Sequence, residues 1–352
     1  MNCLCYNLII LVIIALCFYF INNFFVKNEY FNNLFDNIEN NLINDNLNKE
    51  INKYENKMCN HSDELSGERI IWMYWETLPG KTKPGYIDLC IDSVKFNCGK
   101  CFNVIVLDNI TIYDYLPEIK TIDFSNLNLP QKVDYYRYAL LEKYGGVWLD
   151  ADILVIKCIC PFYEKLSNSD YVGFGCGHDL NTCRKNPDGY SRPLNWFMIS
   201  KKNTPFIKCV KNKAYNKIME NNKNNKDKNW NEYGSSSLFS GMLTKENTKL
   251  PYHSIGKVIL HECYEELNSE NNWNYAHVPS KCQEFDTEGN KLNNIMIDFN
   301  WKDCEKERIF FPLYNTAPGY PDWFKNLSVE ELKTKESYLK PLITQAFTEK
   351  SN

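Results

Sequence analysis

Short apolar runs alternate with amphipathic segments along the chain from residue 69 onward. Arg69 to Trp75 is typical of a buried strand, and Phe102 to Leu107 is typical of a second one. Between them, residues 86–96 place apolar side chains at helical spacing on one side. Because strand, helix and strand in this order are typical of a parallel sheet, we expect an α/β protein.

A helix that runs directly into a strand follows in the middle of the chain. Residues 131–144 have helical spacing, and Gly145-Gly146 supplies the expected helix stop. Val147 to Val155 is predicted to be one continuous buried strand. Further apolar runs predict strands at residues 171–174, 195–200 and 308–314, and the Asn-rich residues 221–231 predict an exposed loop.

The N-terminus has a different pattern. Residues 2–26 carry no charged side chain, and Leu8 to Ile21 is apolar throughout, which predicts a transmembrane signal anchor over residues 1–26. A cleaved signal peptide and a buried helix are the alternatives, but no basic n-region or small-x-small cleavage site is evident. Residues 27–66 are Asn-rich with apolar residues at three- to five-residue intervals, which predicts a helical or loosely structured stem before a globular domain at 67–345.

Charge and glycosylation sequons bear on the partners and the compartment. The formal net charge of -4 gives no basic field, so general nucleic-acid binding is not expected. Sequons fit the lumen of the secretory pathway, although an Asn-rich chain also produces them by chance; they lie at Asn60, Asn109 and Asn326. We therefore expect a single-pass type II membrane protein whose large C-terminal part faces that lumen.

Cysteines are numerous, with 15 in the chain. Cys98-Gly-Lys-Cys101 could be half of a zinc site or a redox pair. The other close pair, Cys158-Ile-Cys160, has only one intervening residue, which is poor spacing for zinc. The sequence therefore favours structural thiols or disulfides at these positions.

Two carboxylates, Asp150 and Asp152, stand at the end of the predicted strand. Side chains alternate on a strand, so both are expected on the face that also carries Trp148. Hard oxygen ligands of this kind suit Mg²⁺ or Mn²⁺, and such a cation would stabilise the charge on a departing nucleoside diphosphate. An Asp-x-Asp triplet alone arises easily by chance, so its context decides its value.

That context is the preceding helix, on which Asp134 and Arg137 are three residues apart and therefore adjacent. They could form a surface ion pair. Alternatively, because their helix leads straight to the two carboxylates, they could contact the hydroxyls and phosphate of a sugar nucleotide.

The chain resembles glycosyltransferases with a DXD sugar-binding region. This group includes initiating mannosyltransferases, α-1,4-galactosyltransferase-like enzymes, glucosylating clostridial toxins and capsular polysaccharide synthesis proteins. The resemblance lies in Asp134-x-x-Arg137, Leu140-Leu141, Tyr144-Gly-Gly146, Trp148, Asp150-x-Asp152, the early Ile70-Ile71-Trp72-x-x-Trp75-Glu76 and the later Asn195-Trp-Phe-x-x-Ser200.

The resemblance implies a GT-A fold, which is a Rossmann-like, mostly parallel sheet flanked by helices. It also implies a UDP- or GDP-hexose donor, a glycan or glycoconjugate acceptor, and transfer with retention of anomeric configuration. Trp75 would stack on the donor base, and Asp134, Arg137 and Asp150 would bind the donor. Asp152 and Asp150 would hold Mn²⁺ (or Mg²⁺) and are the expected catalytic residues.

The chain differs from many of the proteins it resembles, and the sequence leaves alternatives for its function. Trp148 stands where many relatives carry Tyr, and capsular-type proteins often lack the second acid that this chain keeps, which favours metal dependence. Candidates for a third metal ligand are His253, His261 and His277. The alternative function is a non-catalytic protein of the same fold that binds a nucleotide sugar or carbohydrate, and a toxin-like enzyme acting on a host protein is a third.

Overall fold

The computed structural model describes residues 69–175, 193–223, 250, 253–270, 273–278, 308–313, 322–337 and 339–348. The predicted anchor at 1–26, the stem at 27–66 and most of the predicted loop at 221–231 lie outside these residues. Among the residues that are described, no helix is both long enough and apolar enough to cross a membrane.

Within the described ranges, eight strands form two sheets. They are β1 (Ile70–Tyr74), β2 (Asn103–Leu107), β3 (Gly146–Leu149), β4 (Ile153–Val155), β5 (Tyr171–Gly175), β6 (Pro193–Ser200), β7 (Tyr275–Val278) and β8 (Phe310–Pro312). The main sheet has six strands in the order β2-β1-β3-β6-β5-β7, and β4 pairs with β8 in a separate two-stranded sheet.

The main sheet is mostly parallel, as predicted. Strand β1 is parallel to both β2 and β3, with Trp72 opposite Ile105 on one side and Trp148 on the other. Strand β6 runs antiparallel between β3 and β5, and β7 is parallel to β5. The carboxyl ends of β1, β2 and β3 therefore meet at one edge, where open α/β sheets bind their ligands.

The helices complete an α/β architecture. They are α1 (Gly85–Cys98), α2 (Ile112–Tyr115), α3 (Leu129–Tyr144), α4 (Cys160–Tyr163), α5 (Pro205–Lys223), α6 (Lys257–Glu270), α7 (Asp322–Lys325), α8 (Val329–Thr334) and α9 (Lys340–Phe347). Helices α3, α5 and α6 bury Tyr138, Phe206 and Ile259 in one core cluster with Trp72 of the sheet. A disulfide between Cys209 and Cys263 joins α5 to α6.

Capping residues at its start and glycines at its end set the bounds of helix α3. Asn128 and Gln131 form a reciprocal capping box at its start. At its end Gly145 has φ 71° and Gly146 has φ 95°, values that favour glycine. The Trp72 indole donates a hydrogen bond to the Gly145 carbonyl at 2.9 Å, so the turn into β3 is fixed beside β1.

The predicted continuous strand over Val147 to Val155 is wrong in one respect. Strand β3 ends at Leu149, and the chain turns at Asp150–Asp152 before β4 leaves the main sheet to pair with β8. The Ile153 amide donates to the Asp150 carbonyl at 3.3 Å, and the Leu313 amide donates to the Asp152 carbonyl at 2.8 Å. The apolar pattern continues through the turn because β4 is buried too, so the pattern could not reveal a change of sheet.

The layer that contains α1 also includes the C-terminal helices. The Asn97 amide on α1 donates to the carbonyls of Val155 at 3.0 Å and Ala346 at 2.8 Å, which ties α1 to β4 and α9. Tyr86 stacks on Phe324 with ring centroids 5.1 Å apart. Phe310 and Phe311 are buried as well, so these three phenylalanines are core residues.

Candidate active site

Helix α3 and strand β3 bring three of the predicted site residues into direct contact. These are Asp134, Arg137 and Asp150, and together with Trp148 and Asn195 they form what we term the Arg137 cluster. The cluster lies where β3 ends, because the Asp150 amide still donates to the Trp196 carbonyl of β6 at 2.9 Å.

Arg137 is the centre of this cluster. Its Nη2 lies 3.2 Å from Asp134 Oδ1, and its Nη1 lies 3.2 Å from Asp150 Oδ1. Nη1 also donates to the Asn195 carbonyl, and the guanidinium lies 5.0 Å from the centre of the Trp148 ring. One cation therefore holds two carboxylates and an aromatic face, an arrangement that suits the planar guanidinium.

Asp134 is buried on every side. Asp134 and Arg137 are only 7% and 5% exposed, which excludes a solvated surface pair. The Asn195 side-chain amide donates to Asp134 Oδ1 at 2.8 Å. Burial raises the pKa of the Asp134 carboxyl to about 6, and the Arg137 guanidinium opposes that rise.

The loop before α6 closes over the same carboxylate. A Cβ atom added to Gly256 would lie 2.4 Å from Asp134 Oδ2 and 2.9 Å from the Asn195 side-chain nitrogen. Only glycine allows this approach, so the C-terminal part of the chain packs against Asp134 through backbone.

Asp150 is held on one oxygen. The Trp148 indole donates to Asp150 Oδ1 at 2.7 Å, and Arg137 contacts that same oxygen. The side chain is 30% exposed. Burial raises the pKa of the Asp150 carboxyl, while the Arg137 guanidinium and the Trp148 N–H oppose the rise. Neither of these contacts involves Oδ2, which leaves that oxygen for a ligand.

Asp152 lies in the turn rather than on the strand, and it has different neighbours. Its charge raises the pKa of the Tyr86 hydroxyl and of the Cys90 thiol on α1, in both cases after the larger effect of burial. The prediction that Trp148, Asp150 and Asp152 share one strand face is therefore wrong, because a turn interrupts the alternation of side chains.

Trp75 follows the end of β1 at the same edge of the sheet. It is three residues past Trp72, whose partner across the sheet is Trp148, two residues before Asp150. Its backbone amide donates to the Leu107 carbonyl at 2.9 Å. Its indole Nε1 is buried and has no hydrogen-bond partner among the described residues.

The three histidines have separate surroundings. His261 on α6 is buried, with Nε2 3.1 Å from the Pro193 carbonyl oxygen, which explains its burial structurally. His253 is exposed in the loop before α6, and the side chain of His277 on β7 lies outside the description. The choice of a third metal ligand stays open.

Two members of the site could not be found from the sequence. The segment that begins at Asn195 was part of the family resemblance, but nothing in it indicated a side-chain contact with Asp134. Gly256 gave no signal at all, since only tertiary packing brings it to Asp134. Both lie far from residue 134 along the chain.

Comparison with known proteins gives a family for the chain. A family model for capsular polysaccharide synthesis proteins matches residues 21–286. Among solved structures, the chain is similar to "PaToxG Glycosyltransferase", with 14% identity over 66% of this chain and 81% of that chain, and a TM-score of 0.35. No curated protein matches the sequence.

Proposed function

This chain belongs to the capsular polysaccharide synthesis protein family, and we propose that it transfers a hexose from a UDP- or GDP-hexose to a glycan, lipid-linked or protein-linked acceptor. Family membership confirms the resemblance drawn from the residues and the prediction of a glycosyltransferase. The observation that carries the finer proposal is the Arg137 cluster at the carboxyl end of β3. Open α/β sheets bind ligands at that edge.

The donor would lie along this edge between Trp75 and the Arg137 cluster. The Trp75 ring offers an aromatic face for the base, and its unpaired indole N–H offers a donor. Arg137 would meet the diphosphate with a guanidinium already fixed by Asp134 and Asn195. Asp150 would accept hydrogen bonds from sugar hydroxyls, and the buried Asp134 would contribute by fixing Arg137. Because Arg137 is positioned before the donor binds, little reorganisation is needed as charge develops on the leaving group.

The chemistry of the carboxylates in this turn supports a divalent cation. Asp150 Oδ2 is outside the contacts of Trp148 and Arg137, and Asp152 follows in the same turn with a half-buried side chain. Two carboxylates provide hard oxygen donors, which suit Mn²⁺ or Mg²⁺. Asp152 and Asp150 would hold the ion, which when bound supplies positive charge to the departing diphosphate. Arg137 would share that task from the α3 side.

The proposal also covers the anomeric configuration of the product and the cellular location of the protein. Transfer on the same face of the sugar, with retention, follows the family resemblance. We place the large domain in the lumen of the secretory pathway, anchored through residues 1–26. The Cys209–Cys263 disulfide supports an oxidising compartment of this kind.

Donor hydrolysis tests the proposal without knowledge of the acceptor. Purified full-length protein is incubated with UDP- and GDP-hexoses and Mn²⁺, and the released nucleoside diphosphate is measured. Asp152→Asn should reduce the rate by about 10²–10³-fold, because the ion loses a charged ligand where charge develops. Asp114→Asn, the same change at an exposed position on α2, serves as the matched control and should keep the rate.

The outcomes separate an enzyme from a binding protein. Release of nucleoside diphosphate that depends on Asp152, with an unchanged circular dichroism spectrum, supports the transferase. Donor-induced thermal stabilisation with no release from any UDP- or GDP-hexose would favour the non-catalytic alternative. Equal rates for Asp152→Asn and Asp114→Asn would remove Asp152 from the site.

A further inference from the structure

Four cysteines from two distant segments meet beside helix α1. They are Cys98, Cys101, Cys158 and Cys160, which we term the cysteine cluster. The Sγ atoms of Cys101, Cys158 and Cys160 all lie within 4.8 Å of one another. The Cys98 thiol is hydrogen-bonded to Cys158.

The fold assembles this cluster with short local elements. Cys98 is the last residue of α1, and the Cys101 amide donates to its carbonyl at 2.9 Å in the turn that follows. Cys160 is the first residue of α4, and Cys158 precedes it just after β4. Asn97 on α1 binds the β4 carbonyl of Val155, so the two segments are held side by side.

Backbone amides point at the sulfur atoms. The Cys160 amide donates to Cys158 Sγ at 3.4 Å, and the Ile159 amide donates to Cys98 Sγ. Such bonds favour the thiolate over the thiol, and they are the kind of outer contacts that orient metal ligands. The one-residue spacing, which counted against zinc in the sequence, is what allows these amides to face both sulfurs.

The cluster contains sulfur and little opposing charge. Cys98 and Cys160 are buried, and Cys101 and Cys158 are partly buried. Hydrogen bonding to Cys158 and burial raise the pKa of the Cys98 thiol and of the Cys160 thiol. The Arg69 guanidinium opposes the rise in the pKa of the Cys160 thiol, and the Glu164 carboxylate, which pairs with Arg69, offsets that effect.

We propose that Cys98, Cys101, Cys158 and Cys160 form a zinc site of four thiolates in the reduced protein. Zn–S bonds of about 2.3 Å place tetrahedral sulfurs about 3.8 Å apart. The 4.8 Å limit on three of the sulfurs is close to that spacing. The sulfurs of Cys158 and Cys160 are 2.7 Å apart and would have to separate by about 1 Å. Rotation of the partly buried Cys158 side chain can supply that movement.

Whether the site can form depends on the redox state of Cys101. It takes part in a disulfide, whereas Cys98, Cys158 and Cys160 are not disulfide-bonded. A dithiol reductant would transfer two electrons to that disulfide, release both cysteine sulfurs as thiols and itself become a disulfide. Zinc then binds with loss of the thiol protons, so the site is closed in an oxidising compartment and forms only when the disulfide is reduced.

Cobalt provides the direct test, because Co²⁺ takes the same tetrahedral thiolate site and is coloured. Full-length protein is treated with a dithiol under inert gas and titrated with Co²⁺. We expect one equivalent to give thiolate-to-cobalt charge-transfer and tetrahedral d–d bands, and Zn²⁺ to remove them. Elemental analysis of reduced, zinc-loaded protein should then find one zinc per chain.

Variants decide which sulfurs bind. Cys158→Ser and Cys160→Ser should each abolish the four-thiolate spectrum. Cys90→Ala removes a buried thiol of the same helix outside the cluster and should leave it unchanged. The double variant Cys209→Ser and Cys263→Ser should also keep it, which shows that the thiols of the reduced α5–α6 disulfide do not contribute.

Two results would overturn the proposal. Reduced protein with a native circular dichroism spectrum but no cobalt bands would exclude the site. So would a spectrum that survives both Cys158→Ser and Cys160→Ser.

Discussion

The Arg137 cluster and the cysteine cluster each include two residues of the segment 146–160, and they differ in how their charges are compensated. In the first, the single Arg137 cation faces the carboxylates of Asp134 and Asp150, so the protein itself compensates part of their charge. In the second, three sulfurs lie within 4.8 Å of one another beside a backbone amide, and in our proposal they become anionic when zinc binds. The first is therefore preorganised before any ligand binds, whereas the second depends on its ligand.

The largest expected effect comes from breaking the first cluster. Arg137→Ala leaves the buried Asp134 and the partly exposed Asp150 without their cation and should cost about 3–5 kcal/mol of unfolding free energy in urea. Lys143→Ala, on the same helix, removes an exposed pair with Glu118 and should cost less than about 1 kcal/mol. Similar costs for the two variants would mean that the buried charges relax, and the contrast between the clusters would fail.

A smaller effect tests how tightly the first cluster is packed. Gly256→Ala would place a methyl group 2.4 Å from Asp134 Oδ2. Movement of the α6 loop or of the carboxylate should cost about 1–3 kcal/mol in the same unfolding experiment. An unchanged urea midpoint would show that the residues around Asp134 move aside freely and that the site is not preorganised at this point.

The smallest effect is expected in the second cluster when no metal is present. Cys160→Ala in reduced, metal-free protein removes a neutral thiol and should cost about 1 kcal/mol. Cys90→Ala is the control, since it makes the same change at another buried thiol and should cost a similar amount. A loss as large as that of Arg137→Ala would indicate that the cluster is charged without a metal and would contradict the comparison.

The sequence predicted the elements around the site well. The strands that became β1, β2, β5 and β6, and helix α3 with its glycine stop, have bounds close to the expected ones. Their signals are local, because apolar runs, capping residues and glycines act within a few positions. The same signals failed at Asp150, since leaving the main sheet for β8 is a matter of long-range pairing.

The candidate site was only partly predictable. Asp134, Arg137 and Asp150 were named from spacing and resemblance, and the structure places them in contact. The ambiguity between a surface ion pair and a buried contact could not be resolved from spacing, because burial depends on what packs over α3. Asn195 and Gly256 supply that cover, and neither is near in the chain.

Taken alone, the amino-acid sequence determined the α/β class, the helix-to-strand junction at Gly145-Gly146 and the presence of two carboxylates after β3. Each of these follows from the residue types within one short stretch. Tertiary structure decided that the carboxylates sit in a turn with different neighbours, and that Arg137 is buried. It also decided that Cys98-x-x-Cys101 meets Cys158-x-Cys160, although the spacing of the second pair had argued against a zinc site. Contacts between distant segments depend on which layers pack together, and no local sequence pattern specifies which layers do so.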